Sequence, residues 1–141
     1  MSFREKRAWI VLAATLAVYL TYFVLFGRAW AAGEGSRFGF FLPVAATVIA
    51  LVVIEAVSLI AITAAAPFEA QAPYDERDQL IDTGAGRAAF YVLQAGVFGA
   101  LVGVLFGLAP ALIANALLAV MVLGEVAKAL WQVIGYRRSA A

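Results

Sequence analysis

The chain has 141 residues, of which 65% are hydrophobic and 13% charged, and its mean hydropathy is +0.96 with a formal net charge of +1. Soluble domains carry roughly 25% charged residues, so this composition is typical of a protein embedded in lipid. The absence of cysteine and histidine excludes disulfides, imidazole-bound zinc or haem, and Ser-His or Cys-His nucleophile pairs. We therefore predict a non-enzymatic protein without a metal or cofactor. Its ten basic residues are spread along the chain, so direct nucleic-acid binding is not expected.

The first predicted element is a transmembrane helix over residues 8–26, long enough to cross a hydrocarbon core of about 30 Å. Gly27 is expected to end this helix, because glycine adopts the left-handed conformation freely. No small-residue cleavage site follows, so the helix is predicted to be retained and not removed as a signal peptide. Its aromatic residues are expected to form a packing and interface belt, and not a ligand cage: Tyr19, Tyr22, Phe23 and Phe26.

The second helix is predicted over residues 39–66. Pro43 lies in its first turns, where a missing N–H is tolerated, and Pro67 follows its end. Its length is roughly 42 Å at 1.5 Å per residue, so the helix must tilt or project beyond the hydrocarbon.

A polar linker over residues 67–86 separates the two apolar halves of the chain. Asp75 is a candidate N-cap for a short amphipathic helix, and the residues 83–86 (Thr-Gly-Ala-Gly) are expected either to break the chain or to allow close backbone contact. We expect this linker to pack against the basic termini or to dock a basic partner. The candidate docking residues are Asp75, Glu76, Arg77, Asp78 and Asp82.

The third and fourth helices are predicted over residues 87–107 and 110–136, with a tight turn between them. Small residues recur every four positions along the third helix, a pattern that allows close helix approach. This stripe predicts self-association into a homodimer or a higher oligomer. Its members are Ala95, Gly99, Gly103 and Gly107.

The distribution of basic residues predicts the orientation of these four helices. Only Arg28 and Arg37 fall in the loops on the far side, whereas the remaining loops and tails are richer in arginine and lysine. Because basic loops stay in the cytoplasm, both termini and the linker are predicted to be cytoplasmic. The expected fold is an all-α integral membrane four-helix bundle in one domain, residues 1–141. The residues that set this orientation are Arg4, Lys6, Arg7, Arg77, Arg87, Arg137 and Arg138.

The two halves of the chain show weak internal similarity. A shift of 80 residues places Val24 to Gly27 on the identical residues Val104 to Gly107, and a shift of 70 places Glu55 on Glu125. This similarity favours two parallel helical-hairpin repeats, a pattern known in transporters. The alternative, that sequences rich in apolar residues match by chance, is equally open at this stage.

Several polar residues fall within the apolar helices, where a charged side chain costs on the order of 2.5–3.5 kcal/mol. We expect them to converge in the inner half of the bundle. In one interpretation Lys128 pairs with a glutamate and the amides bridge helices. In the other, one lysine cannot neutralise two glutamates, so a carboxyl group is left to bind a proton or a cationic ligand. The residues of this cluster are Glu55, Ser58, Gln94, Glu125, Lys128 and Gln132.

The run Asp75-Glu76-Arg77-Asp78, followed by Ile81, lies between the second and third helices. It resembles the D-E-R-(D/E)-x-x-I signature of a family of small prokaryotic four-helix membrane proteins of unknown function. This resemblance implies a bacterial or archaeal cytoplasmic membrane and, as a partner, a helix-turn-helix regulator of the kind often encoded beside members of the family. It implies no catalytic residues.

These observations favour a non-enzymatic inner-membrane protein that acts as a sensor or regulatory partner through its acidic linker. The main alternative is a small proton- or cation-coupled transporter that uses Glu55 and Glu125. A third possibility, an intramembrane hydrolase, would require Ser58 and Lys128 to meet.

Overall fold

The computed structural model describes residues 3–33, 41–70 and 75–138. Four of its helices are long and apolar enough to cross a membrane, which indicates a multi-pass membrane protein and confirms the all-α four-helix fold. The predicted start of the second helix at Gly39 and the far-side Arg37 lie outside the described residues. The helices are α1 (Phe3–Ala31), α2 (Phe41–Ala65), α3 (Pro67–Ala70), α4 (Glu76–Leu105) and α5 (Pro110–Arg138).

The four long helices pack in the order α2, α1, α5, α4. Helix α1 contacts α2 on one side and α5 on the other, and α5 has its most extensive interface with α4. The buried residues accordingly lie mainly on α1 and α5, whereas the most apolar windows of α2 and α4 are not buried within the chain. We call the end where α1 begins and α5 ends the terminal end, and the other the opposite end.

The centre of the bundle is an aromatic cluster between α1 and α5. Tyr19, Tyr22 and Phe26 of α1 pack with Leu118 of α5, as the predicted packing belt requires. The Tyr22 hydroxyl also donates a hydrogen bond of 2.8 Å to Asn115 Oδ1. Because hydrogen bonds between transmembrane helices stabilise their association, this bond adds to the packing of α1 on α5.

Helix α1 is longer than predicted, and the expected end at Gly27 is wrong. The helix continues to Ala31, and the left-handed glycine is Gly33, with φ of 76°. A glycine within a helix costs only about 1 kcal/mol. The Phe26 and Trp30 rings lie 5.9 Å apart along this last part of the helix and contribute packing that offsets the cost.

The amphipathic segment of the linker is helical, but it is not a separate helix. Asp75 caps α4, which then runs through residues 83–86 without interruption, so the predicted break before the third helix is wrong. The alternative expectation for this stretch, close contact, applies at Gly84. A Cβ atom built there would lie 2.5 Å from Trp131 Nε1 of α5. The absence of a side chain at Gly84 therefore lets α5 approach the helix.

The small-residue stripe of α4 does not form an interface within the chain. Ala95 and Gly99 are exposed, and a Cβ at Gly99 would have no atom within 4 Å. Gly103 is covered by Leu108, and Gly107 has φ of 70° in the turn that joins α4 to α5, as the predicted tight turn requires. Self-association through this stripe stays a prediction.

Other glycines mediate the contact between α4 and α5. A Cβ at Gly96 would lie 2.3 Å from Val120 Cγ2, and one at Gly124 would lie 3.2 Å from Leu93 Cγ. These glycines alternate between the two helices, so each helix supplies a gap for a branched side chain of the other. Such close approach is the usual role of glycine in membrane helix pairs.

The packing of the two hairpins is not two-fold symmetric. In a two-hairpin repeat, α1 corresponds to α4 and α2 corresponds to α5, so the α1·α5 interface should have an α2·α4 counterpart. Within the described ranges no comparable contact between α2 and α4 is present. The hairpins therefore lie side by side mainly through α1 and α5.

Gly96→Ala and Gly99→Ala form a matched pair that tests the assigned α4·α5 interface. Overpacking costs about 1–3 kcal/mol, so we expect Gly96→Ala to lower the free energy of unfolding by that amount. Gly99→Ala meets no atom and should leave it unchanged or slightly raised. Reversible unfolding in SDS mixed micelles, followed by circular dichroism, measures both values. Equal effects of the two substitutions would contradict this interface.

Candidate functional site

A cavity of about 540 Å³ lies between α2, α1 and α5 towards the terminal end, with one wall completed by α4. Its lining is unusual for an apolar chain, because six charged side chains border it. We call it the charged cavity. These six residues are Arg4, Arg7, Glu55, Asp82, Glu125 and Lys128.

Three helices supply the charges at the deep part of this cavity. Helix α5 presents Glu125 and Lys128 on one face, one helical turn apart, and α2 presents Glu55. Glu55 lies within electrostatic range of Glu125, Lys128 and Arg7 of α1. Glu55 and Glu125, which occupy corresponding positions in the two halves of the sequence, thus border the same cavity, even though the hairpins are not related by a two-fold axis.

Arg7 changes the charge balance that the sequence predicted. In the sequence-based prediction Arg7 precedes the first helix, residues 8–26, and one lysine stands against two glutamates. In the structure α1 begins at Phe3, so Arg7 lies within the helix and borders the cavity. Two cations therefore accompany Glu55 and Glu125, and the predicted imbalance is wrong.

These four groups border the cavity without pairing directly. Among the residues that the structure describes, no ion pair joins Arg7, Glu55, Glu125 or Lys128. Arg7, Glu125 and Lys128 are exposed and Glu55 is half-buried. A lipid-facing charge would be costly, so their common placement on a concavity is consistent with a hydrated site.

Ser58 and Gln94 do not join this site. Ser58 is half-buried on α2 but is not among the described residues that line the charged cavity, so this cavity does not bring it together with Lys128 as the third possibility, a hydrolase, would require. Gln94 lies on the outer face of α4, in a shallow hollow with Phe90 and Phe98. The expectation that all six polar residues converge is therefore wrong for these two. Gln132 does line the cavity, beside Lys128.

The acidic face of the former linker points into the protein. Asp78 is buried and forms an ion pair with Arg4 of α1, and it also closes a reciprocal capping box with Asp75. Asp82 Oδ1 accepts a hydrogen bond of 2.8 Å from Gln132 Nε2 and borders the cavity. Of the two expectations for this segment, packing against the chain's own terminal regions is the one that the structure shows.

Further contacts tie the same end together. Arg77 Nη2 donates to the Tyr136 carbonyl oxygen at 3.5 Å, and Arg137 Nε lies 3.6 Å from Glu5 Oε1. The Arg137 guanidinium also lies over the Trp9 ring, 5.2 Å from its centroid. The helix ends that border the cavity are thus crosslinked by polar contacts. Asp75 and Glu76 remain exposed at the start of α4.

The site contains no recognisable metal centre. In the described part of the chain, no group of three or more acidic residues is arranged to hold a metal ion.

No protein-family model, curated protein or solved structure matches this chain. The resemblance to the small four-helix family stays a prediction, and function is argued from the chemistry of the cavity.

The Arg4–Asp78 pair should stabilise the terminal end of the bundle. Removing one partner of a largely buried pair is costly, and because Arg4 is partly exposed we expect Arg4→Gln or Asp78→Asn to lower the free energy of unfolding by about 1–3 kcal/mol. The double variant should lose less than the sum of the two. Unfolding in SDS mixed micelles measures the free energies of this double-mutant cycle, with the exposed Glu76→Gln as control. Additive losses would mean that the two groups are not coupled.

Proposed function

We propose that this chain is a small, non-enzymatic, proton- or cation-coupled transporter of the bacterial or archaeal cytoplasmic membrane, with the charged cavity as its binding site. The observation that carries the proposal is that Glu55 and Glu125 border one cavity, together with Arg7 and Lys128, and that none of the four forms an ion pair within the described part of the chain. Such intramembrane ionisable groups commonly mark ion and substrate pathways.

The balance of charge around the cavity suggests how a ligand would bind. Two carboxylates and two cations border the cavity, so a charged ligand can interact with the groups of opposite charge. A cationic ligand can take the place of Arg7 or Lys128 in the electrostatic interaction with Glu55 and Glu125. A proton bound to either carboxylate likewise weakens its attraction to Arg7 or Lys128. Protonation and cation binding therefore compete, and this competition is the requirement for coupled exchange.

The predicted orientation of the chain supports a cytoplasmic location for this site. The cavity borders the first turns of α1 and the last turns of α5, and the basic residues flanking these segments favour the cytoplasm. We therefore propose that the cavity opens inward and that both termini are cytoplasmic.

A regulatory role is the second candidate, and the acidic surface available for it is smaller than the sequence predicted. Asp78 and Asp82 have partners within the chain. Of the five candidate docking residues, Asp75, Glu76 and Arg77 at the start of α4 are exposed. A basic surface on a cytoplasmic regulator is the partner that fits these acidic side chains.

Glu55→Gln and Glu125→Gln test the transport proposal. Tetraphenylphosphonium, a lipophilic cation, should displace protons from detergent-solubilised wild-type protein in a weakly buffered solution. Each substitution removes a carboxylate, so we expect at least a tenfold loss of cation affinity and no proton release. Glu76→Gln, exposed at the start of α4, is the matched control and should behave as wild type. Equal binding in all four proteins would refute the proposal.

Glu76→Lys combined with Asp75→Lys tests the regulatory candidate. If a basic partner docks at this end, the double variant should lose a partner that co-purifies with wild-type protein, since like charges repel. Glu55→Gln should keep that partner. Retention of the partner by the double variant would rule out docking at this surface.

A further inference from the structure

The buried face of α1 carries polar groups beyond the charged cavity. Thr15, Tyr19 and Tyr22 follow the cavity residue Val11 at helical spacing, so they form a stripe that runs from the cavity toward the opposite end. All three are buried, with exposed fractions of 1%, 7% and 5%. With Asn115 of α5, we call them the polar column.

The polar column reaches the opposite end through Asn115. The Tyr22 hydroxyl donates to Asn115 Oδ1 at 2.8 Å, and Asn115 Nδ2 donates to the Ala111 carbonyl oxygen at 2.8 Å. Ala111 lies in the first turn of α5, which begins at Pro110. Polar groups therefore continue from mid-bundle almost to the end of the helix pair.

At its other end the polar column comes within electrostatic range of the glutamates. Tyr19 lies within electrostatic range of both Glu55 and Glu125. Thr15 precedes Tyr19 by one turn and is placed between it and the cavity residue Val11. The stripe therefore spans the part of the bundle that separates the charged cavity from Tyr22.

Thr15 is the unusual member of the polar column. Threonine hydroxyls in helices commonly donate to the carbonyl oxygen four residues earlier, as Thr21 does to Ala17 at 2.8 Å and Thr47 does to Pro43 at 2.7 Å. The buried Thr15 Oγ1, in contrast, has no hydrogen-bond partner among the described residues. A buried hydroxyl without a partner costs about 1–3 kcal/mol, and a bridging water molecule removes this cost.

We propose that the polar column holds a chain of water molecules that carries protons between the opposite side of the membrane and Glu55 and Glu125. A proton enters near Asn115, passes by exchange of O–H bonds along Tyr22, Tyr19 and Thr15, and leaves by forming the neutral carboxyl group of a glutamate. That carboxyl then releases the proton to the cavity, so no redox step or covalent intermediate is needed.

This inference rests on the proposed transport function and specifies its proton route. The groups within electrostatic range of Glu55 are Arg7 and Tyr19 of α1 and Glu125 and Lys128 of α5. If the Tyr22–Asn115 hydrogen bond served only to join α1 to α5, its loss would lower stability without affecting proton movement.

Proton uptake into sealed vesicles tests the polar column. Protein is reconstituted into phosphatidylcholine–phosphatidylglycerol vesicles with an enclosed pH dye, and valinomycin with a potassium gradient provides the driving potential. We expect Tyr22→Phe and Thr15→Val to slow dye-reported uptake at least tenfold. Thr15→Ser keeps the hydroxyl and should retain uptake. Thr21→Val, exposed on the same helix, is the matched control and should match wild type.

The outcomes separate this inference from the function on which it rests. Uptake by wild type no faster than by empty vesicles, or undiminished uptake by Tyr22→Phe and Thr15→Val, overturns the polar column. Tetraphenylphosphonium binding that still depends on Glu55 would in that case leave the proposed function standing. Because Thr15→Val replaces the hydroxyl with a methyl group of similar size whereas Thr15→Ser keeps the hydroxyl, the comparison holds even if Tyr22→Phe fails to fold.

Discussion

The constraint on which this structure depends is that polar groups within membrane helices must be kept out of lipid. The contact between α1 and α5 satisfies it. The buried face of α1 carries Thr15, Tyr19 and Tyr22 against α5, and Asn115 of α5 is buried by the same contact. Since α1 and α5 hold most of the polar groups, α2 and α4 are free to present apolar surface outward.

This division of roles explains why the charged cavity forms at one end of the bundle. Helix α2 contacts α1 but has no comparable interface with α5 among the described residues, so a space remains where Glu55 faces Glu125 across α1. The start of α4 is held over this end by the ion pair between Arg4 and Asp78. Charged residues that looked like a solvent-facing linker in the sequence thereby become part of the wall.

Much of the architecture could be predicted from apolar runs, prolines and glycines, because helices are the main way to form all backbone hydrogen bonds inside a membrane. The depth of Glu55 and Glu125 likewise predicted that they could meet. Arg7 could not be assigned to the cavity from the sequence, since its position depends on where α1 begins and how α1 packs against α2.

The four-residue stripe of small residues indicated close helix approach on α4 but not which helix approaches, and Gly96, outside that stripe, makes the contact with α5. Thr15, Tyr19 and Tyr22 share a helical face in the sequence, yet only the packing against α5 shows that they are buried together.

The most direct test of this account is whether Glu125 borders a water-filled space, and the absence of native cysteine makes the measurement simple. Single cysteines are placed at Glu125, at the cavity residue Val11, and at Met121, which is one turn from Glu125 and 62% exposed but does not line the charged cavity. A charged, membrane-impermeant thiol reagent is then added to vesicles of known orientation. The account predicts rapid labelling of Glu125→Cys and Val11→Cys from the cytoplasmic side and none of Met121→Cys. Labelling of Met121→Cys alone, with the two cavity positions unreactive, would contradict it.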